Sequence, residues 1–142
     1  MKQTPLIAQH REAAAKLVDF SGWEMPIQYS GVVDEYETVR TKAGLFDVSH
    51  MGRIEVSGAG ALVFLQTITT NDIAALQPMH AQYSMVCNRQ GGIKDDIFVY
   101  RLAGPHEYLL CVNASNRDKI HSWLLEHGSG IPGCQIHDRS AD

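Results

Sequence analysis

Gly91-Gly92-Ile93-Lys94-Asp95-Asp96-Ile97-Phe98-Val99-Tyr100 puts a glycine pair, two adjacent acids and an apolar run into ten consecutive positions. The glycines allow a backbone reversal closed to residues with a Cβ. The run beyond them has the β-branched and aromatic content of a strand. Residues 83–88 form a second such run, so the turn at 88–92 predicts an antiparallel hairpin. A third strand, 107–112, is entered from the Gly104-Pro105 turn.

Working outward, Arg53-Ile54-Glu55-Val56 alternates like a strand, and Leu62, Leu65 and Ile68 recur like one face of a helix. Ser115-Asn116-Arg117-Asp118 has the form of a capping box with aspartate as the reciprocal acid. It opens a helix carrying Ile120, Trp123 and Leu124 and ending at Gly128, and a short strand follows at 134–137. The order over about 53–138 is β-α-β-β-β-α-β. It predicts an α+β fold: an antiparallel sheet with helices on one face, of the ferredoxin-like kind.

The segment 1–52 reads as helix and loop. Thr4-Pro5 resembles a helix start, followed by the alanine-rich stretch 11–16. Ser21-Gly22-Trp23-Glu24-Met25-Pro26 breaks the pattern, since proline restricts both itself and its predecessor. Val32, Val33, Tyr36, Val39 and Ala43 then fall on one helical stripe, with Gly44 placed to end it. That stripe has no evident partner within 1–52, and residues 139–142 stop without a capping element. Both features are expected of a domain completed by further sequence and of a truncated end.

The chain has 142 residues, enough to bury a core. A formal net charge of -4 gives no electrostatic grip on nucleic acid or an anionic membrane. The start, Met1-Lys2-Gln3-Thr4-Pro5, leads into mixed polar sequence rather than a signal core, and no segment reaches the roughly 20 apolar residues of a membrane span. The expectation is a cytoplasmic protein. Cys87, Cys111 and Cys134 are widely spaced and lack C-x-x-C pairing, so they read as reduced thiols in apolar runs. The seven histidines form no metal-ligand spacing, and no metal site is expected.

The chemistry centres on the acid pair. In a strand Asp95 and Asp96 point to opposite faces, Asp95 with Ile97 and Val99, Asp96 with Phe98 and Tyr100. Two readings stay open: solvated hairpin acids, or one carboxylate aimed at a ligand or a developing cation. Asp47-Val48-Ser49-His50 gathers an acid, a hydroxyl and an imidazole, but triad partners converge from distant parts of a chain, so it reads as a loop holding its own backbone. Tyr83 and Val112-Asn113 fall at strand ends near one mouth of the sheet, and Asn113 could equally cap the helix behind it.

Five stretches carry a resemblance. They are Gly22-Trp23-Glu24-Met25-Pro26-Ile27-Gln28-Tyr29, Gly44-Leu45-Phe46-Asp47-Val48-Ser49-His50-Met51-Gly52, Thr69-Thr70-Asn71-Asp72, Gly91-Gly92 through Asp95-Asp96, and residues 108–113. In that order they resemble the N-terminal portion of the tetrahydrofolate-dependent T-protein family, the aminomethyltransferases of the glycine cleavage system. The resemblance implies transfer of an aminomethyl group from the dihydrolipoyl arm of the H-protein to tetrahydrofolate, giving 5,10-methylenetetrahydrofolate and ammonia. It implies Asp95 as the catalytic aspartate and Met51, Tyr83, Asp96, Val112 and Asn113 as folate-pocket residues. Two alternatives share the same site: a folate-binding relative without aminomethyl transfer, and a folate-dependent demethylase. Lys94 departs from the apolar residue expected there.

Overall fold

In the computed structural model, which describes residues 1–141, the chain forms two units, Met1–His50 and Met51–Asp142. The first unit contains β1 (Lys2–Gln3), α1 (Ile7–Glu12), β2 (Lys16–Phe20), β3 (Trp23–Gln28) and α2 (Val32–Thr41). Its three strands form a sheet in the order β1-β3-β2, a sheet absent from the helix-and-loop reading of 1–52. The alanine run does not extend α1, because Ala14 takes a positive φ of 54° and the chain turns into β2. Phe20 pairs with Trp23 across Ser21 and Gly22, both at positive φ, as a two-residue type I′ hairpin requires. The Asp19 carboxylate locks that turn by accepting from the Gly22 amide at 2.8 Å. Pro26 is tolerated inside β3 because β1 pairs only with Trp23 and Glu24, leaving one side of the strand open where the N–H is missing. Val32, Val33, Tyr36 and Val39 of the helical stripe fall in α2 and none is buried, but the helix ends at Thr41, short of Ala43 and Gly44.

The second unit follows the predicted order. Its elements are β4 (Gly52–Ser57), α3 (Ala61–Ile68), a 3-10 turn (Ile73–Ala75), β5 (Ala81–Cys87), β6 (Ile93–Arg101), β7 (Glu107–Val112), α4 (Arg117–Gly128) and β8 (Gln135–Asp138). The strands form one antiparallel sheet in the order β5-β6-β7-β4-β8. Ile54, Val56, Val86, Ile97, Val99, Leu110 and Val112 point to one face of it. There they meet Phe64 and Leu65 of α3 and Ile120 and Leu124 of α4 in a continuous core. Each such side chain contributes roughly 1.5–3 kcal/mol on burial, which holds both helices on that face. The opposite face carries Tyr83, Phe98 and Tyr100, all exposed.

The edge strand β5 is pinned by the Thr69-Thr70-Asn71-Asp72 segment. Thr69 bridges to Val86, and the Met85 amide donates to the Thr70 hydroxyl at 3.2 Å. The Asn71 amide donates to the buried Ser84 hydroxyl at 3.0 Å, and the Asn71 side chain to the Tyr83 carbonyl at 2.8 Å. An edge whose backbone groups are occupied in this way is closed to stray strand pairing. No helix among the described residues is long and apolar enough to cross a membrane.

Candidate functional site

The β5–β6 hairpin places the acid pair. Asn88 organises its turn, the side-chain oxygen accepting from the Gln90 and Gly92 amides at 3.0 and 2.8 Å, while Gly91 takes a φ of 82°. Val86 pairs with Asp95 and Cys87 with Ile93, so Lys94 is an extra, bulged residue. A bulge re-aims the side chains beside it. Here it sends Lys94 to the helix side, its ammonium 4.0 Å from the centre of the Trp123 ring. Beyond the bulge strict alternation resumes, with Asp95, Ile97 and Val99 buried and Asp96, Phe98 and Tyr100 exposed.

The two acids therefore have different surroundings. Asp95 is 3% exposed. Its carboxylate accepts from the Asn113 backbone amide at 3.1 Å, from Asn113 Nδ2 at 2.9 Å and from Asn116 Nδ2 at 2.6 Å. A charge so far from water needs such donors, and here each is an amide. Asp96 lies on the open face. Its Oδ1 accepts from the same Asn113 Nδ2 at 3.0 Å, and its backbone carbonyl from that nitrogen at 3.1 Å. Asn113 thus clamps both acids with one amide nitrogen, which fixes the amide orientation and leaves Oδ1 as the end not engaged by the carboxylates.

Beside Asp96 stands a ladder of rings. Tyr83 pairs with Phe98 across the strands, their centroids 5.6 Å apart at 68°, and Phe98 lies 6.5 Å from Tyr100. Partial desolvation, then the Asp96 carboxylate, raise the Tyr83 hydroxyl above the ordinary tyrosine value, so it remains a protonated donor at neutral pH. Met51 and Asn113 each lie one residue beyond the paired Gly52 and Val112, at the same end of the sheet. Val112 is fully buried with its side chain in the core; only its backbone is available to a ligand at the open face. Of the six residues singled out from the sequence, Asp96, Tyr83, Asn113 and Met51 gather at one end of the open face, while Asp95 supports them from beneath.

Asn116, Phe98 and Tyr100 were not singled out. The motif at 115–118 reads as a capping box, but the N-cap is Asn116 and its side chain makes no capping bond, being turned to Asp95 instead. Nor does Asn113 cap the helix. Phe98 and Tyr100 look like core residues of a strand until the side of the sheet that the helices cover is known.

The first unit holds a second cluster, built on the buried His10 and the buried Asp47 side chain, which sequence spacing does not reveal. The Asp47 side chain, 1% exposed, accepts from His10 Nε2 at 2.8 Å, and His10 Nδ1 accepts from the Tyr29 hydroxyl at 2.9 Å, with the tautomer assigned from this network. Burial opposes the Asp47 charge, but the Thr4 hydroxyl, His10 and the Ser49 amide outweigh it and hold the carboxyl far below the usual range. Desolvation, then Asp47 and Glu35, raise the Tyr29 phenol, so Tyr29 keeps its proton and gives it inward. The partner of Asp47 is thus His10, 37 residues away, rather than neighbouring His50. Tyr29 also borders a largely apolar cavity of about 640 Å³ within this unit, toward which the cluster directs no free proton.

Fold and site together define an α+β domain with one helix-covered and one open sheet face, the open face carrying a clamped carboxylate beside an aromatic ladder. The GCVT N-terminal domain family matches residues 6–142, and the chain belongs to that family. It is 51% identical over 142 residues to the aminomethyltransferase of Desulfitobacterium hafniense (strain DSM 10664 / DCB-2), covering 100% of this chain and 38% of that protein. It is likewise 51% identical over 130 residues to the aminomethyltransferase of Bacillus subtilis (strain 168), covering 92% and 36%. The crystal structure of glycine cleavage system aminomethyltransferase T from Bartonella henselae superposes with a TM-score of 0.92 at 36% identity, over 98% of this chain and 38% of that one. The chain spans little more than a third of the length of these relatives.

Proposed function

We propose that this chain forms the acceptor-site part of an aminomethyltransferase of the glycine cleavage system, acting in the cytoplasm. The whole enzyme takes the aminomethyl group carried on the dihydrolipoyl arm of the H-protein, releases ammonia and passes the one-carbon unit to tetrahydrofolate, giving 5,10-methylenetetrahydrofolate. The observation that carries the reading is the exposed Asp96 carboxylate, held by Asn113 beside the Tyr83 and Phe98 rings. The aminomethyltransferases to which the chain is similar support the same activity.

The chemistry suits this arrangement. Loss of ammonia from an aminomethyl thioether leaves a thionium-like cation (R–S+=CH2), which the folate nitrogen attacks as the dihydrolipoyl thiol departs, and a fixed carboxylate lowers the energy of positive charge at the reacting carbon. The rest is alignment, holding the acceptor nitrogen within reach of that carbon. The pterin is flat and aromatic, and Tyr83 with Phe98 offers rings for it to pack on. The Asn113 Oδ1 is a ready acceptor for pterin N–H groups, and Met51 an adaptable apolar contact.

The geometry favours Asp96, rather than Asp95, as the carboxylate that meets the reacting groups. Asp95 is closed off from the open face, with both oxygens occupied. The test is a transfer assay from aminomethyl-loaded H-protein to tetrahydrofolate in the whole enzyme that carries this domain. Asp96→Asn is expected to reduce kcat by at least about 100-fold, the scale of one electrostatic group acting in a transition state, without loss of folding stability. An Asp96→Asn enzyme that keeps more than about a tenth of its kcat refutes the assignment.

A further inference from the structure

We infer that Asn116 is a positioning residue for this reaction: its side-chain amide holds Asp95, which holds Asn113, which holds the Asp96 carboxylate at the open face. The inference rests on the reading of Asp96 given above. Its basis is what Asn116 does not do. It occupies the N-cap of α4, where an asparagine side chain ordinarily accepts from an amide of its own helix, yet it makes no such bond. Instead Nδ2 donates to Asp95 Oδ1 at 2.6 Å, the shortest of that carboxylate's three contacts. An N-cap side-chain bond stabilises its helix, so turning the amide to Asp95 forgoes that local stabilisation.

The amide hydrogens explain why the chain of contacts matters. Asn113 Nδ2 has two hydrogens and three acceptors at 2.9–3.1 Å, namely Asp95 Oδ1, Asp96 Oδ1 and the Asp96 carbonyl. Its share to Asp96 depends on where Asp95 Oδ1 sits. Asn116 fixes that oxygen from the far side. Without the donor, Asp95 Oδ1 has only Asn113 to satisfy it and draws the amide inward, away from Asp96.

Two variants of the whole enzyme test this. Asn116→Ser removes the amide but supplies a hydroxyl suited to the same N-cap, so the cap offsets part of the stability lost with the Asp95 contact, while kcat per folded molecule is expected to fall on the order of tenfold or more through misplacement of Asp96. Asn116→Asp is also a good N-cap but sets a carboxylate against Asp95. Its kcat is expected to fall further at neutral pH and to recover toward that of Asn116→Ser as pH is lowered and the two carboxylates come to share a proton. Other titratable groups near this cluster, among them Asp96, Tyr83 on β5 and Cys111 on β7, are common to parent and variant, so the difference between their pH profiles reports the new pair.

Unchanged kcat in both variants overturns the inference, as does a fall in the thermal midpoint with kcat per folded molecule unchanged. If the parent enzyme does not transfer to tetrahydrofolate, the proposed function fails, and the inference is decided by crystal structures of the parent and Asn116→Ser. Asn113 Nδ2 leaving Asp96 upholds it; Asn113 still donating to both acids overturns it.

Discussion

Each unit of the chain buries one carboxylate among hydrogen-bond donors, yet the two clusters do opposite things. In the first, Asp47 is matched by His10, and His10 by Tyr29, whose proton is directed inward. In the second, Asp95 is matched by Asn113 and Asn116, and Asn113 reaches past it to a second acid that faces solvent. Burial and partner count are nearly the same. What differs is the group at the end: a partly exposed phenol whose proton is committed to His10, or an exposed carboxylate. A buried carboxylate alone does not mark a site; a buried carboxylate that holds an exposed one in place does.

Four perturbations can break or sharpen that contrast. His10→Ala, which takes one donor from the buried Asp47 carboxylate and leaves the Tyr29 hydroxyl without its acceptor, is expected to cost roughly 1–3 kcal/mol in chemical denaturation. A loss under about 1 kcal/mol would remove the structural role assigned to the first cluster. Acid titration follows. Asp138 is opposed by burial, but Ser140 and Arg117 outweigh this and bring its carboxyl from 3.8 to about 2. A folded pKa below the unfolded one gives stability that is complete above pH ~4 and is lost as pH falls toward 2. Asp47 acts in the same direction. Asp138→Asn should therefore lower stability at pH 7 by on the order of 2 kcal/mol and flatten its decline below pH 4; a slope identical to the parent's would show that Asp138 is not among the groups responsible. Gly91→Ala forces a Cβ into a backbone at φ 82° and should lower stability by about 1 kcal/mol. Smallest of all, Tyr83→Phe keeps the ring packed on Phe98 and removes one hydroxyl, so KM for tetrahydrofolate should rise only severalfold, the scale of one neutral hydrogen bond. A KM unchanged by Tyr83→Phe would restrict Tyr83 to ring packing.

Much of this architecture was legible in the sequence. The Asn88–Gly92 turn, the alternation through Arg53-Ile54-Glu55-Val56 and the helix from Ile120 to Gly128 follow from local chemistry, and local chemistry dominates there. The β2–β3 hairpin was hidden because Ala13-Ala14-Ala15 favours helix and Pro26 disfavours strand. Pairing between β2 and β3 overrides the first preference, and the open side of β3 removes the second objection. At the site, parity separated Asp95 from Asp96 but could not say which faced the core. Ile97 and Val99 on one side and Phe98 and Tyr100 on the other are equally apolar, so only the side taken by α3 and α4 decides. Asn116 was masked by a motif that fits a capping box, and His10 by its distance in sequence from Asp47.

The central claim is that the acid pair divides its labour, Asp96 meeting the reacting groups and Asp95 holding the scaffold. It is tested most directly by single-turnover transfer and thermal unfolding of Asp95→Asn and Asp96→Asn, measured side by side in the whole enzyme. Asp95→Asn turns an amide N–H toward existing N–H donors, so it is expected to lose roughly 1–3 kcal/mol of stability; Asp96→Asn is expected to unfold like the parent while transfer slows by at least about 100-fold. An Asp96→Asn enzyme with near-parental transfer, beside an Asp95→Asn enzyme of parental stability and no transfer, would contradict the account.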